Sequence, residues 1–392
     1  MRIDTILAEV HLHIGNPLEG FSMGTEYAWF LPTVRAGDGH KINVKKPERE
    51  PTVEYLSKVA QSAEKAGFIN LLVPTGTHCL DAWVVAAAVA QHTEGIRFCV
   101  AFRPGLTSPV FAAQTANTVD TISGGRLTIN VVTGSGPADQ MRYGDHLPHD
   151  ERYERTDEFL DIIKAIWYTD GPVNFKGKYY DIRDTAIYPG RVSRPHPPFY
   201  LGGSSESGRR VGAKHSDVHM MYAVDVETIA EDVLDMRKRA EECERQNEIR
   251  FGVRMHVVCR ETKDEARRRA NALIEGSDIS NTGVWADMKK KTESAGQMRV
   301  NELGSRDSLW ITDTLWMGVN TVRGGAGASL VGTPEMIAKA LKEYVQAGVD
   351  TFILSGWPHM EESEIFGREV MPLLQDTNPI TLADLAQTGR AV

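Results

Sequence analysis

Eight short, strongly apolar runs alternate along the chain with longer amphipathic stretches. Most of the runs are apolar at every position rather than at alternate positions, which is typical of strands that are buried on both faces of a parallel sheet. We therefore predict strands at residues 27–32, 68–75, 97–104, 127–133, 199–203, 218–223, 251–259 and 351–357.

The stretches between the runs have helical periodicity. In the last of them Ile337 and Leu341 share a face, Thr333 followed by Pro334 starts the helix, and Gly348 ends it. The segments AEKAGFINLLVPTG and VQAGVDTFILSGW repeat one helix–glycine–strand pattern. Eight β-then-α units predict one α/β domain, a (β/α)₈ TIM barrel, with an open doubly wound sheet as the alternative.

Two segments are too long for plain barrel loops, residues 135–150 and 273–325. Long insertions at the carboxyl ends of barrel strands typically form lids, because the active site lies there. We predict an N-terminal arm over residues 1–24 and a barrel over 25–378. Within it we expect a mobile lid at about 273–325, and after it a C-terminal tail over 379–392.

Composition narrows the class of protein. The 392 residues have a formal net charge of −9 and no block of Lys or Arg, so nucleic acid is not the expected partner. The longest apolar run, residues 82–90, is too short to span a membrane, and no signal-like segment opens the chain. Four cysteines without paired spacing predict reduced thiols and a cytoplasmic location.

Motifs of several enzyme classes are absent from the sequence, including GxGxxG after a strand, GxxxxGK[ST], HExxH, GxSxG and CxxC. Their absence argues against a built-in nicotinamide site, a nucleotide triphosphatase, a zincin and an α/β hydrolase. A metal-dependent barrel hydrolase stays open as an alternative, with His78, His256 and His359 as candidate ligands.

A glycine–serine segment follows the fifth predicted strand. Gly203 lets the backbone approach a ligand closely, and Ser204 and Ser205 open the next helix. Free N–H groups at a helix N-terminus favour a phosphate there. An ordinary serine N-cap explains the same residues equally well.

Two arginines and a histidine form a second group of candidates. Arg254 and His256 alternate on the seventh strand, so both are expected to point to one side, and Arg323 ends the lid segment. Buried charge without a partner is costly, so we expect either a protein carboxylate or an anionic ligand beside them. Cys79, after the second strand, fits either a buried apolar residue or a site thiol.

The sequence contains, in this order, the segments LVPTGTHCLDAWVVAA, FRPGLTSP, DTISGGRLTINVVTGSGP, HDERYERTDEFL, FYLGGSS, IRFGVRMHVVCRET, LWMGVNTVRGGAGASLVG and FILSGWPHMEE. Together they resemble the flavin-dependent alkanesulfonate monooxygenases of the bacterial-luciferase-like superfamily. The likeness extends from about residue 29 to about residue 374, nearly the whole chain.

The resemblance implies a function. Members of the family bind reduced FMN, which a separate NAD(P)H-dependent FMN reductase supplies, and react it with O₂. An alkanesulfonate then yields an aldehyde and sulfite. The family fold is a TIM barrel with a mobile lid, and the family assembles as dimers or tetramers.

The resemblance also implies roles for single residues. Cys79 matches the family's active-site cysteine, while Arg254, His256 and Arg323 match residues that contact the sulfonate or a reaction intermediate. The positions matching cofactor contacts are Asn130, Thr133, Tyr153, Gly203, Ser204 and Ser205.

The chain departs from the family pattern in the predicted substrate pocket. Tyr222 replaces a family Trp, Trp357 replaces a family Tyr in the segment before His359, and of two histidines in the first loop only His40 is kept. These changes leave the substrate open. One alternative to an alkanesulfonate is a sulfone or heterocycle that is oxidised by the same chemistry. A different activity within the superfamily, a deazaflavin-dependent dehydrogenase, is the other alternative.

The resemblance gives a hypothesis for the reaction. Arg254 and Arg323 hold the anion by charge-assisted hydrogen bonds. His256 acts as general acid and base, because an unperturbed imidazole titrates near working pH. Cys79 tunes the flavin or oxygen site without acting as a nucleophile.

Overall fold

Eight parallel strands close a barrel at the centre of the molecule. The computed structural model describes residues 24–44, 46–134, 136–193, 195–277, 291–378 and 380–381. Each strand pairs with the next along the chain, and the last pairs with the first. The strands are β1 (Glu26–Phe30), β2 (Asn70–Val73), β3 (Arg97–Phe102), β4 (Leu127–Val131), β5 (Phe199–Gly202), β6 (Val218–Tyr222), β7 (Arg250–Arg254) and β8 (Thr351–Leu354). The predicted (β/α)₈ barrel is confirmed.

Helices cover the barrel and occupy its connections, and several start where a side chain caps them. The hydroxyl of Thr333 accepts a hydrogen bond from the Met336 N–H at the predicted start of the last large helix. The helices are α1 (Val53–Lys65), α2 (Ala82–Ala90), α3 (Pro109–Ile122), α4 (Pro137–Arg142), α5 (His149–Tyr168), α6 (Glu206–His215), α7 (Val226–Glu242), α8 (Lys263–Ile274), α9 (Ala295–Leu303), α10 (Val319–Val322), α11 (Pro334–Gln346) and α12 (His359–Ile365).

The seventh predicted strand, residues 251–259, is wrong as one strand. β7 ends at Arg254, and residues His256–Cys259 leave the barrel to pair in parallel with Ser329–Gly332. The two neighbours overlap here, since the Met255 and Val257 N–H groups donate to the Ile353 and Ser355 carbonyls, while the His256 N–H between them donates to the Ala328 carbonyl. Both halves are apolar, so the composition of the run does not mark the break.

The insertions contain secondary structure. Residues 136–150 include α4, and the described part of the predicted lid, residues 273–277 and 291–325, includes α9 and α10. Residues 278–290 of the lid, most of the arm and most of the tail lie outside the described residues, so the domain boundaries stay a prediction. A hairpin of Val173–Lys176 and Asp181–Thr185 was not expected from the sequence.

The barrel interior is closed at one end and open at the other. At the amino ends of the strands the Tyr200 hydroxyl donates to Glu26 Oε1 at 2.6 Å, and both side chains are fully buried. At the carboxyl ends, Asn130, Gly202 and Tyr222 are the residues of β4, β5 and β6 that are not buried. A ligand therefore enters at the carboxyl ends. None of the described helices is long and apolar enough to cross a bilayer.

Candidate active site

One serine hydroxyl joins two of the predicted residues at the open end of the barrel. The Arg254 Nη2 group donates to Ser355 Oγ at 2.8 Å, and Ser355 Oγ lies 2.7 Å from His256 Nδ1. Arg254 and His256 therefore face the same side, as predicted, although the strand breaks between them.

Both ring nitrogens of His256 have protein partners. Its Nε2 lies 2.8 Å from the Ala326 carbonyl, which only accepts, so Nε2 carries the proton and Nδ1 accepts from the Ser355 hydroxyl. Burial, followed by the charges of Arg254 and Arg323, holds the pKa of His256 well below its ordinary value. The ring is thus neutral and 1% exposed. Its predicted acid–base role stays a prediction, while the geometry gives it a positioning role.

The two arginines lie over aromatic rings rather than against acids. Arg254 Cζ is 5.0 Å from the centroid of the Phe30 ring, and Arg323 Cζ is 5.5 Å from that of Trp357. In the described part of the chain their hydrogen bonds go to carbonyl oxygens and the Ser355 hydroxyl, with no carboxylate among the partners.

This pair of cations is electrostatically unfavourable in the free protein. Burial, and then the charge of Arg323, lower the pKa of Arg254 to about 9, and burial also lowers the pKa of Arg323. Bringing an anion between the two guanidinium groups would relieve both effects. Of the two partners that the sequence left open, a protein carboxylate is not found among the described residues.

Aromatic rings wall the space beside the arginines. The Trp357 ring centroid lies 4.7 Å from that of His256 and 5.5 Å from that of His359. Tyr222, at the end of β6, pairs in register with Arg254. Burial raises the pKa of Tyr222, and the two arginines reduce that rise. These predicted pocket residues are brought together.

His40 is placed differently. Its side chain is 60% exposed, and its Nδ1 lies 2.7 Å from Glu48 Oε2 on the surface. Only its backbone approaches the site, because Arg269 bridges the His40 and Trp357 carbonyls. The structure does not bring the His40 ring into the group.

Cys79 lies at the rim of the same opening. It is half-buried, and its backbone bridges to Val34 of the first loop. Burial raises the pKa of its thiol to about 11, against the lowering effect of the Arg323 and Arg103 charges. A protonated thiol is a poor nucleophile, which agrees with the tuning role expected of it.

The glycine–serine segment forms a tight turn into α6. The Ser205 hydroxyl accepts from the Gly208 N–H at 3.2 Å as the N-cap. A Cβ on Gly203 would lie 2.8 Å from Tyr153 Oη and 2.9 Å from the Gly208 Cα, so only glycine fits. Burial raises the pKa of Tyr153 to about 12, so its hydroxyl keeps its proton beside this turn.

Two of the predicted cofactor contacts differ in orientation. None of the described residues hydrogen-bonds the Asn130 amide, which is half-buried at the open end of β4. Thr133 turns away, with its hydroxyl 3.4 Å from the Thr156 hydroxyl of α5. The lid also reaches this region, since a Cβ on Gly296 of α9 would lie 3.0 Å from Ser204 Oγ.

The metal alternative finds no support in the described residues. The one group there whose His, Cys or acidic ligand atoms lie within 4.8 Å of each other is Asp157, Asp161 and His215. The Lys214 ammonium lies 2.8 Å from both carboxylates and neutralises them. His78, His256 and His359 do not form such a group among the described residues.

Sequence reasoning missed three residues of this site. Ser355 joins Arg254 to His256, Asp38 holds His359, and Phe30 lies under Arg254. Phe30 ends β1 and Ser355 directly follows β8, and that position is a signal that would have found these two residues, whereas Asp38 lies in the loop after β1 and carries no such signal.

In TIM-barrel enzymes the active site lies at the carboxyl end of the closed parallel barrel, which is where Arg254, His256 and Arg323 are found here. Residues 25–351 match the family model of luciferase-like monooxygenases. The chain belongs to this family and is therefore an oxidoreductase of the monooxygenase class.

Solved structures share the fold. The riboflavin lyase crystallised with modified FMN and riboflavin has a TM-score of 0.74 and 19% identity, covering 91% of this chain and 92% of that one. The EDTA monooxygenase from Chelativorans sp. BNC1 has a TM-score of 0.73 and 18% identity, covering 94% of this chain and 99% of that one. The long-chain alkane monooxygenase has a TM-score of 0.71 and 22% identity, covering 94% of this chain and 97% of that one.

Proposed function

We propose that this protein is the oxygenase of a two-component system that converts a small alkanesulfonate to an aldehyde and sulfite. It uses O₂ and reduced FMN, which an NAD(P)H-dependent FMN reductase supplies. Assembly into a dimer or tetramer and a cytoplasmic location belong to the same proposal. The observation that carries it is the pair Arg254 and Arg323, which the described residues leave without a carboxylate.

A sulfonate suits this pair for a geometric reason. Its three oxygens share one charge and point in different directions, so guanidinium groups on two sides can each donate to a separate oxygen. Arg254 approaches from β7 and Arg323 from the end of α10. The apolar remainder of an alkanesulfonate would lie against Trp357 and Tyr222, which wall the same space.

The residues at the other side of the opening fit a flavin phosphate. The N-terminus of the ten-residue helix α6 and the hydroxyls of Ser204 and Ser205 supply donors for a phosphate group. The half-buried Asn130 amide lies deeper in the barrel, where a ring system with polar edges would reach it. When bound, reduced flavin supplies the electrons that let O₂ deliver one oxygen atom to the substrate.

The described part of the predicted lid contacts the segment that carries Arg323. Gln297 of α9 accepts a hydrogen bond from the Gly325 N–H at 2.9 Å, two residues after Arg323. Asn320 of α10 donates to the Val300 carbonyl of α9 at 3.2 Å. Arg323 is thus fixed by the lid's own contacts, and the cover excludes water that would divert the oxygen chemistry.

A sulfone or heterocycle is the second candidate, and the exchanged aromatics Tyr222 and Trp357 favour it. A neutral substrate, however, would leave Arg254 and Arg323 unpaired. The two candidates are separated by supplying enzymatically reduced FMN with a panel of linear sulfonates, sulfones and nitrogen heterocycles, and measuring sulfite and aldehyde. We expect sulfite and aldehyde in equal amounts from a sulfonate. Product from a sulfone or heterocycle alone would overturn the sulfonate proposal.

Replacement of Arg323 tests the anion clamp. Arg323→Ala should oxidise reduced FMN at the normal rate but release hydrogen peroxide in place of sulfite, because the substrate is no longer held. Peroxide and sulfite are measured in the same reaction. Unchanged sulfite formation by Arg323→Ala would remove Arg323 from the clamp.

A further inference from the structure

A buried histidine–aspartate pair lies beside the proposed clamp without a role in it. His359 Nδ1 is 2.8 Å from Asp38 Oδ1, and the His359 backbone N–H donates to Asp38 Oδ2 at 2.8 Å. Tyr55 also donates its hydroxyl proton to Asp38 Oδ2. The Gly39 N–H donates to Asp38 Oδ1 as well, so the carboxylate is held by four hydrogen bonds and fixes both the tautomer and the orientation of the ring.

The other ring nitrogen of His359 is unoccupied. The residue is 2% exposed, and none of the described residues gives its Nε2 a hydrogen-bond partner. Because the Asp38 carboxylate accepts a hydrogen bond from the Nδ1–H group, Nε2 carries a free lone pair in the neutral ring. A buried polar atom without a partner is costly, and such atoms typically serve a ligand or a reaction.

The ring is adjacent to the side chains that carry the clamp. Its centroid lies 5.6 Å from that of Phe30 and 5.5 Å from that of Trp357. Arg254 lies over the first of these rings and Arg323 over the second. His359 is therefore one aromatic ring away from each guanidinium group.

Three other groups at the opening, His256, Tyr222 and Cys79, are not available for proton removal. Both nitrogens of His256 are engaged by Ser355 and the Ala326 carbonyl. Tyr222 and Cys79 hold their protons, since burial raises the pKa of each group.

We infer that His359 is the base that completes the reaction by breaking down the oxygenated substrate, with Asp38 as its positioning residue. The inference rests on the proposed function. Oxygenation of the carbon next to sulfur gives a 1-hydroxyalkanesulfonate, R–CH(OH)–SO₃⁻. His359 Nε2 removes the hydroxyl proton, the oxygen forms the C=O bond of the aldehyde, and the C–S bond breaks with its electron pair leaving on sulfur as SO₃²⁻.

The charges around the proposed substrate position favour this step. The leaving group gains a second negative charge as the bond breaks, and Arg254 and Arg323 are placed to stabilise it. The imidazolium that forms on His359 lies against the Asp38 carboxylate. No oxidant or reductant is required, so the step can be observed without flavin.

The experiment uses the bisulfite adduct of a short aldehyde, which is the same 1-hydroxyalkanesulfonate, in slightly acidic buffer without FMN. Sulfite release is followed with a thiol-reactive dye. We expect the full-length protein to accelerate release above the buffer rate. His359→Asn, which can still donate to Asp38, should lose about a hundredfold of that acceleration. Asp38→Asn should lower kcat by roughly tenfold while leaving KM unchanged.

His215→Asn is the matched control, because the His215 ring is as buried as that of His359 and lies 2.7 Å from the Asp157 carboxylate outside the opening. It should lose stability but keep the rate. An adduct rate of His359→Asn equal to wild type, or no acceleration by wild type, would overturn the inference. Absence of sulfite in the complete reaction with every sulfonate would instead overturn the proposed function on which it rests.

Discussion

At the scale of single residues, the site depends on side chains that orient the charged groups. The Ser355 hydroxyl donates a hydrogen bond to His256 and accepts one from Arg254, so a single hydroxyl orients both a guanidinium and an imidazole group. The His256 ring in turn donates to the Ala326 carbonyl, three residues from Arg323. Hydrogen bonds from Ser355, the residue after β8, therefore help to fix the positions of Arg254 and of the segment that carries Arg323.

Ser355→Ala tests this connection. Removing the hydroxyl leaves His256 Nδ1 without a donor, and we expect a loss of about 1–3 kcal/mol in the free energy of unfolding. Because Arg254 also loses a partner, the KM for the sulfonate should rise several-fold. Ser57→Ala is the control, since Ser57 is buried but its hydroxyl has no partner among the described residues. A KM and stability of Ser355→Ala that match those of Ser57→Ala would contradict this role.

Residue identities were predictable only in part. The sequence predicted either a carboxylate or an anionic ligand beside the buried arginines, and in the structure Arg323 and His256 both contact the Trp357 ring. The partner of His359 was not predictable, because Asp38 comes from a loop more than three hundred residues away. Chemical type can be read from sequence, whereas the hydrogen-bond partner depends on tertiary contact.

At the scale of elements, the start of α6 depends on close approach of two backbones. Gly203 and Gly208 pack against each other under the Tyr153 hydroxyl. A side chain at either position pushes the turn away from the helix, and with it the N–H groups that would hold a phosphate.

Gly203→Ala therefore should weaken binding of FMN to the protein by about tenfold or more, which corresponds to about 1.4 kcal/mol of strain. Titration of protein fluorescence with FMN measures the Kd. Gly190→Ala is a matched control, because a Cβ at Gly190 meets nothing within 4 Å. Equal Kd values for the two variants would exclude the turn from cofactor binding.

The elements themselves were well predicted where burial dictates composition. Seven of the apolar runs correspond to barrel strands in the predicted order, because both faces of a barrel strand are buried. The remaining run, the seventh along the chain at residues 251–259, is divided between two sheets. Its apolar character predicts burial but not the partner strand, which comes from Ser329–Gly332 beyond the lid.

At the scale of the whole molecule, stability depends on histidines that are buried in the neutral form. Burial is the first cause that lowers their pKa in each case, to about 3 for His215 and about 4 for His219. The pKa values of His196 and His256 are lowered for the same reason. The unfolded chain takes up protons below about pH 6.5 that the folded chain does not.

Stability should consequently be complete above pH 6.5 and fall as the pH is lowered. At pH 5 a histidine such as His219 costs about 2 kcal/mol of unfolding free energy. Denaturant unfolding at pH 7 and pH 5 measures the difference. His219→Gln should reduce it by that amount, whereas His92→Gln, at an exposed position, should not. A difference unchanged by His219→Gln would contradict the assignment.

We propose that the open end of this barrel directs reduced flavin and O₂ onto an organic sulfonate held by Arg254 and Arg323. A single-turnover reaction tests it most directly: protein with bound reduced FMN and a linear alkanesulfonate is mixed with O₂, and sulfite is counted per flavin oxidised. We predict about one sulfite per flavin for wild type, and peroxide with almost no sulfite for Arg254→Met and Arg323→Met. If wild-type protein oxidised its flavin and released only hydrogen peroxide with every sulfonate supplied, the sulfonate monooxygenase activity would be contradicted.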